Sequence, residues 1–319
     1  MPFADVMLER LLSLPLSTVP VPAVEDWWSH QQVLFAAAQS PIERAVLGGF
    51  AADRVAWAFG AGYQAALRRL DPTLPNDQIA CLCVTESGGN APRAIASTLT
   101  PEGAGYRLDG HKKWSTLGPA GACLIVVARL SGADQPAHTA LKAVRVAVGQ
   151  PGVRVDTMPP PRFVPELPHA EVRLEGVHIA PDALVPGDGY TAVVKPFRSI
   201  EDIHVSAAVL AHLLREARRL AWPAPWMAEC AATLDALVAL AGRDPLGATT
   251  HIALEGALIA AHRLYAAADA NYAAGGDGEA ATRWKRDRSL FQVAGTARKA
   301  RFQRACEVAG LPSPHPSSP

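Results

Sequence analysis

The stretch Cys83-Val84-Thr85-Glu86-Ser87-Gly88-Gly89-Asn90 sets a hydroxyl, a carboxylate and two glycines at the end of an apolar run. About thirty residues later, Gly110-His111-Lys112-Lys113-Trp114-Ser115-Thr116 sets a tryptophan among lysines and hydroxyls. A flat conjugated ring needs a face to pack against and polar groups for its ring heteroatoms. The indole of Trp114 supplies the first, and the hydroxyls of Ser115 and Thr116 supply the second. The polar cluster begins where the β-like run ends, which places Thr85 and Glu86 at the rim of a β-structure, where such folds hold ligands. Glycines there let backbone N–H groups approach a bound molecule closely. Taken singly, each piece has a plainer reading, the glycines as a turn and the tryptophan as core. Their joint occurrence, in this order and between two helical segments, points to a site for a planar ring.

Three kinds of segment must position these residues. From Asp26 to Leu70 the apolar spacing is helical, with a stripe through Val46, Phe50, Val55, Phe59 and Tyr63. Ser40 is placed to cap a helix whose first residue is Pro41, and the Asp71-Pro72 turn sequence ends the pattern. Between Ile79 and Val185 the texture changes to short β-type runs bounded by glycine, proline and aspartate. Alternation in Val144–Val148 and Val172–Leu174, with no long helical pattern, predicts an antiparallel barrel or sandwich. From Lys195 onward the chain is rich in alanine and leucine. Four long helical stretches, broken at Pro223–Pro225, Gly242–Pro245 and Gly275–Gly278, predict an antiparallel bundle. The fold class expected is α+β and multidomain: a partial N-terminal helical domain over 1–77, a middle β-barrel domain over 78–190, a C-terminal helix bundle over 191–312 and a disordered tail over 313–319.

Composition narrows the function. Thirty Lys and Arg balance thirty Asp and Glu, so no basic field exists to hold nucleic acid. Five cysteines lack paired metal-type spacing and fit a reducing compartment, with Cys81 and Cys83 on one side of a strand as packing residues. Asp5 and Glu9 stand where a secretory leader needs positive charge, and no run approaches the roughly eighteen apolar residues of a membrane span. A cytoplasmic protein with no membrane partner is expected.

The order of "CVTESGGNAPRAI", "GYRLDGHKKWSTLGPAGACLIVVAR" and "AEVRLEGVHIAPDALVPGDGY" resembles the acyl-CoA dehydrogenase superfamily, specifically over about Ile79–Tyr190. The resemblance implies FAD as cofactor, with Thr85, Trp114 and Thr116 as flavin contacts and Val84 and Ser115 as their backbone neighbours. It implies α,β-dehydrogenation of an acyl-CoA or other acyl thioester, an electron-transfer flavoprotein as electron acceptor and a homo-oligomer. The helical part before the β-segment is short for this family. The glutamine and Gly-Gly segment expected near the end of the chain is lacking, so the match is to a shortened, divergent member.

Dehydrogenation of a thioester needs one carboxylate to take the α-proton in a dry pocket. Some members of the superfamily carry it on the first helix after the β-domain, where this chain has Glu201. Glu201 is the candidate base; its plainer reading, with Asp202, is a first-turn acid at a helix N-terminus. Glu201 and His204 share a helix face, as do His251, Glu255 and His262, yet no second Glu-x-x-His completes a di-metal set, so no metal is expected. The alternative to an enzyme is a non-catalytic binding or assembly module derived from this fold with impaired flavin binding. The basic stretch Arg283–Arg304, interleaved with Leu290, Phe291, Val293 and Ala297, reads as one amphipathic helix with a solvated basic face.

Overall fold

A computed structural model describes residues 3–16, 20–132, 140–293 and 295–312, without the side chains of 3–6. The segment 313–319, expected to be a disordered tail, lies outside the described residues. The chain divides into two compact units. One comprises Met1–Ala66, Arg162–Val164 and Ser199–Pro319, and the other Leu67–Pro161 and Pro165–Arg198.

The first unit is helical. Helices α1 (Phe3–Ser13), α2 (Val24–Ala37), α3 (Pro41–Ala51) and α4 (Val55–Leu70) precede the sheet. As the sequence predicts, Ser40 caps α3, accepting the Glu43 N–H at 3.3 Å, with Pro41 in the first turn. The long stripe expected across this region is interrupted at Ala52–Arg54, and its residues Val46, Phe50, Val55 and Tyr63 are buried on two helices instead of one.

After the sheet come α5 (Lys195–Arg219), α6 (Ala224–Ala241), α7 (Ala248–Ala274), α8 (Gly278–Asp287) and α9 (Gly295–Ala309). Two glycines fix how α3 and α4 meet α5. A Cβ on Gly49 would lie 2.1 Å from the Ala208 carbonyl oxygen, and one on Gly62 would lie 2.6 Å from the Val205 Cα. Only glycine permits backbones this close.

The single basic helix expected near the end of the chain is broken by a 3₁₀ turn at Arg288–Gln292. The cause lies in its buried members. Asp287, fully buried, accepts the Val164 N–H at 2.7 Å and the Arg286 guanidinium, while Phe291 stacks on Tyr265 with centroids 4.3 Å apart. Of the expected apolar stripe, Phe291 is buried whereas Val293 is 69% exposed.

The expectation that no run reaches membrane-spanning length also needs correction. By length and composition α6 qualifies, although it carries Glu229 and Asp235 and buries Trp226, Cys230, Leu234 and Leu237 in the protein.

The second unit is built on one mixed sheet: β1 (Ala80–Cys83), β2 (Thr98–Glu102), β3 (Gly105–Thr116), β4 (Cys123–Leu130), β5 (Leu141–Ala147), β6 (Val153–Thr157), β7 (His169–Ile179) and β8 (Leu184–Val185). The order is β6-β7-β3-β2-β4-β5-β8, with β1 also on β4. The expected antiparallel barrel is not formed: the sheet is open, and β1 and β2 both run parallel to β4. Closure fails because the last strand, β8, has two residues, lies between Pro181 and Pro186, and pairs with β5 alone among the described strands. Strand β2 is illegible as a strand because it contains Pro101 and ends in a polar turn.

The parallel pairs follow from one edge of β4. Strand β5 occupies the opposite edge from Cys123 to Arg129, so β1, paired to Cys123–Val126, and β2, paired to Arg129–Leu130, share the remaining one. They act as one strand interrupted by an excursion over residues 84–97.

In the helical unit, His212 on α5 is buried, with Nδ1 2.9 Å from the Ala52 carbonyl. Burial, aided by the nearby Arg215 charge, lowers its pKa to about 4. A depressed histidine costs nothing above its unfolded value near 6.5. As pH falls from there to about 4, the unfolded chain takes up a proton that the folded chain refuses. Stability should therefore fall across that window by on the order of 3 kcal/mol and level off below it. Denaturation at stepped pH should show this slope, and His212→Asn should flatten it; an unchanged slope in the variant contradicts the assignment.

Candidate functional site

The excursion between β1 and β2 begins with the polar motif. Glu86 and Gly89 exchange backbone hydrogen bonds of 3.0 and 2.9 Å, closing a tight turn that Gly89 enters at a φ of 103°. This turn sets the direction of Glu86. The sequence places Glu86 at a rim beside Thr85, but its carboxylate points inward and is buried. Oε2 accepts the Ala96 N–H at 2.7 Å, and Oε1 accepts the Ser97 N–H at 3.1 Å and the Ser97 hydroxyl at 2.7 Å. The far end of the excursion is thereby tied to its start.

The fourth donor is Lys112 of β3, which has no exposed surface. Its ammonium lies 2.5 Å from Glu86 Oε1 and 2.6 Å from the Val127 carbonyl. Val127 sits in the gap on β4 between the residues paired with β1 and those paired with β2. The ammonium thus takes a sheet carbonyl that no strand residue covers, at the point where an unpaired polar group would be costly. Burial alone would raise the Glu86 pKa, but the Lys112 hydrogen bond and charge, with the Ser97 and Ala96 donors, outweigh it and hold the carboxyl below its usual range. Burial lowers Lys112 against the opposing pull of Glu86. The stability Glu86 contributes is present above the ordinary carboxylate range and lost as pH falls through its depressed value.

From Lys112 the strand carries the second motif outward. Lys113 points to the other face, where it pairs with Glu171 at 3.0 Å beside His111. Its backbone N–H donates to the Thr85 carbonyl at 2.8 Å, which joins the two motifs directly.

Between Lys112 and Ser115 the β3–β7 register shifts: two residues of β3, Lys113 and Trp114, oppose Glu171 alone. The bulge carries Trp114 at a φ of 60°, a left-handed conformation that a bulky residue adopts at a cost of roughly 1–3 kcal/mol. Its consequence is an indole 55% exposed at the end of a strand. The core reading of Trp114 does not hold.

The hydroxyls divide. Ser115 is fully buried and donates to the Cys83 sulfur at 3.2 Å, so its side chain serves the core and only its backbone is left to the candidate site. Thr116 is partly exposed, its Oγ1 3.3 Å from His169 Nε2. Thr85 is partly exposed at the end of β1, and Val84 is buried. Val84, Thr85, Trp114, Ser115 and Thr116 therefore all lie in the sheet unit, at the end of β1 and the end of β3. Burial pushes the neighbouring Cys83 thiol up to about 11, against the Ser115 hydrogen bond and the Lys112 charge, which makes it a packing group and not a nucleophile.

Glu201 lies in the other unit, on α5 and well past its first turn, because that helix starts at Lys195 after a π-helical segment over Gly189–Val194. The first-turn reading of Glu201 and Asp202 is corrected accordingly. Asp202 is buried and holds Arg298 at 2.6 Å and Arg301 at 2.9 Å. Glu201 is half-buried. Among the described residues no three His, Cys, Asp or Glu side chains gather as a metal set. His204 Nδ1 faces the Ile200 carbonyl, and His251 and His262 face those of Pro245 and Phe291.

Comparison with known proteins places this arrangement. Residues 81–177 match the family model described as acyl-CoA dehydrogenase, middle domain. Over those residues the sheet unit is similar to an acyl-CoA dehydrogenase middle domain. The match spans β1 to β7 and includes both polar motifs. A probable acyl-CoA dehydrogenase, FadE10, of Mycobacterium bovis is 29% identical over 132 residues, 40% of this chain. The match spans 20% of that relative's length.

Solved structures are similar over most of the chain. The prolyl acyl carrier protein oxidase AnaB has a TM-score of 0.70 at 14% identity, covering 98% of this chain and 100% of its own. An FAD complex of PigA has a TM-score of 0.69 at 15% identity, covering 96% and 93%. Butyryl-CoA dehydrogenase from Megasphaera elsdenii has a TM-score of 0.68 at 14% identity, covering 90% and 91%. The superfamily resemblance read from the sequence stands, and the fold is that of the acyl-CoA dehydrogenase-type flavoenzymes. These likenesses do not favour the non-catalytic alternative.

Within the matched segment, two residues were not legible from the sequence as neighbours of these motifs. Lys112 was legible in part, since strand alternation from an outward Lys113 turns it inward. His169 gave no signal, because its proximity to Thr116 arises from a strand pairing 53 residues away in sequence.

Removing Lys112 strands a buried carboxylate and orphans the Val127 carbonyl. Lys112→Met should cost about 3–5 kcal/mol, and the Glu86→Gln/Lys112→Met pair should lose at least about 1 kcal/mol less than the sum of the single losses. A denaturant double-mutant cycle measures this; small, additive losses would contradict the account.

Proposed function

We propose that this protein is an FAD-dependent oxidoreductase of acyl-CoA dehydrogenase type, acting in α,β-dehydrogenation of an acyl thioester. The observation that carries the reading is Trp114, a large indole held out of the core by a strained bulge inside a matched middle domain. Strain of this kind is retained where it serves a site.

The residues present fit an isoalloxazine. Trp114 supplies an aromatic face, while Thr85 and Thr116 offer partly exposed hydroxyls on the same unit. When bound, FAD supplies the hydride acceptor. The chain's own work is to orient the ring through these side chains and to take up the substrate α-proton, the role assigned to the Glu201 carboxylate. Support for a thioester substrate comes from relatives named for butyryl-CoA and for a prolyl carrier protein. One neighbour is named an electron transferring flavoprotein, and such a carrier is the proposed electron acceptor. The reading includes a homo-oligomer in the cytoplasm.

Purified protein titrated with FAD should develop a flavin band, and one acyl-CoA or acyl carrier protein in a panel should bleach it anaerobically. Glu201→Gln should keep the band and slow bleaching by about 10²-fold or more. No band in excess FAD would overturn the flavin reading and leave a binding module. Undiminished bleaching in the variant would remove Glu201 as the base.

A further inference from the structure

His169 stands directly opposite Thr116 in the β3–β7 ladder, and its two ring nitrogens have different partners. Nδ1 lies 3.0 Å from the Leu167 carbonyl. A carbonyl oxygen accepts and never donates, so Nδ1 carries the ring proton. Burial lowers the affinity of this imidazole for a second proton, against the raising effect of the Leu167 bond, which favours the neutral ring with a bare lone pair on Nε2. Nε2 lies 3.3 Å from the Thr116 hydroxyl, which must then be the donor.

Thr116 has one O–H. With that hydrogen committed to His169, its oxygen faces a ligand as an acceptor only. The same imidazole meets the Trp114 indole edge-on, with centroids 6.2 Å apart and planes at 69°. A single side chain therefore sets the rotor of one proposed flavin contact and braces the other.

We propose that His169 is a positioning residue of the flavin site, holding Thr116 as an acceptor so that the site favours a ring presenting N–H at that point. The inference rests on the flavin reading above. Reduced isoalloxazine carries ring N–H where the oxidised ring has bare nitrogen, so an acceptor-only Thr116 favours the reduced form.

Two measurements test this. Long-range ¹⁵N NMR of the histidine rings in flavin-free protein should show His169 as the Nδ1–H tautomer, with its Nε2 resonance moved by Thr116→Val. An Nε2–H tautomer overturns the proposal whether or not FAD binds. Titration with oxidised and with reduced FAD should then give an affinity ratio that shifts about tenfold toward the oxidised form in His169→Phe, the size of one hydrogen bond. His169→Asn, whose side-chain oxygen can still accept from Thr116, should restore most of the ratio. An unchanged ratio in His169→Phe, with FAD still bound, overturns this inference alone. Failure of the unmodified protein to bind FAD overturns the flavin reading and this inference with it.

Discussion

The buried pair of Glu86 and Lys112 is the interaction on which the sheet unit depends. Strand β4 offers one edge to two short strands, and the chain leaves that edge between them to make an excursion over residues 84–97. Leaving a sheet edge in the interior exposes a carbonyl and needs something to hold both ends of the departing loop. Lys112 covers the Val127 carbonyl, and Glu86 gathers Ala96 and Ser97 from the far end. Two charges inside a protein are costly to desolvate, and they persist only when they are closely paired and further hydrogen bonds support them. Here the carboxylate accepts from four donors and the ammonium is shared between two oxygens. The pair is specific in a way an apolar contact of the same volume could not be, because it fixes which turn faces which strand.

The same pair organises the candidate site, one residue further along each chain segment. Thr85 precedes Glu86, Lys113 follows Lys112, and the Lys113 N–H binds the Thr85 carbonyl. The bulge after Lys112 is held at Lys113 by that bond and at Ser115 by its pairing with Ala170. Trp114 and Leu117 both take left-handed backbone conformations, at φ of 60° and 61°. Leu117 is buried, whereas Trp114 is aimed outward. A frame stiff enough to impose strain on a tryptophan is stiff enough to present it to a ligand in one orientation.

The parts of this architecture legible in the sequence are those encoded locally. The Ser40-Pro41 helix start, the change to β-texture at Ile79 and the return to helix after the sheet rest on capping, period and turn chemistry, which act over a few residues. The open, partly parallel sheet was not legible, because strand partners separated by forty residues leave no local mark; alternation gives the faces of a strand and not its neighbours. Glu86 shows the limit most clearly. Its position at a strand end reads as a rim residue, and the Gly89 turn, the Ala96 and Ser97 donors and a lysine 26 residues away turn it inward. The helix break at Arg288–Gln292 was hidden for the same reason, since Asp287 is buried against Val164 from a distant segment.

In the proposed flavin site the Thr85 strand end and the Trp114 bulge form one rigid frame. Amide hydrogen exchange with and without FAD tests it most directly. Residues 84–89 and 112–117 should gain protection together on adding FAD, over the same concentration range. Protection confined to one of the two segments, or absent from both while FAD binds, would contradict it.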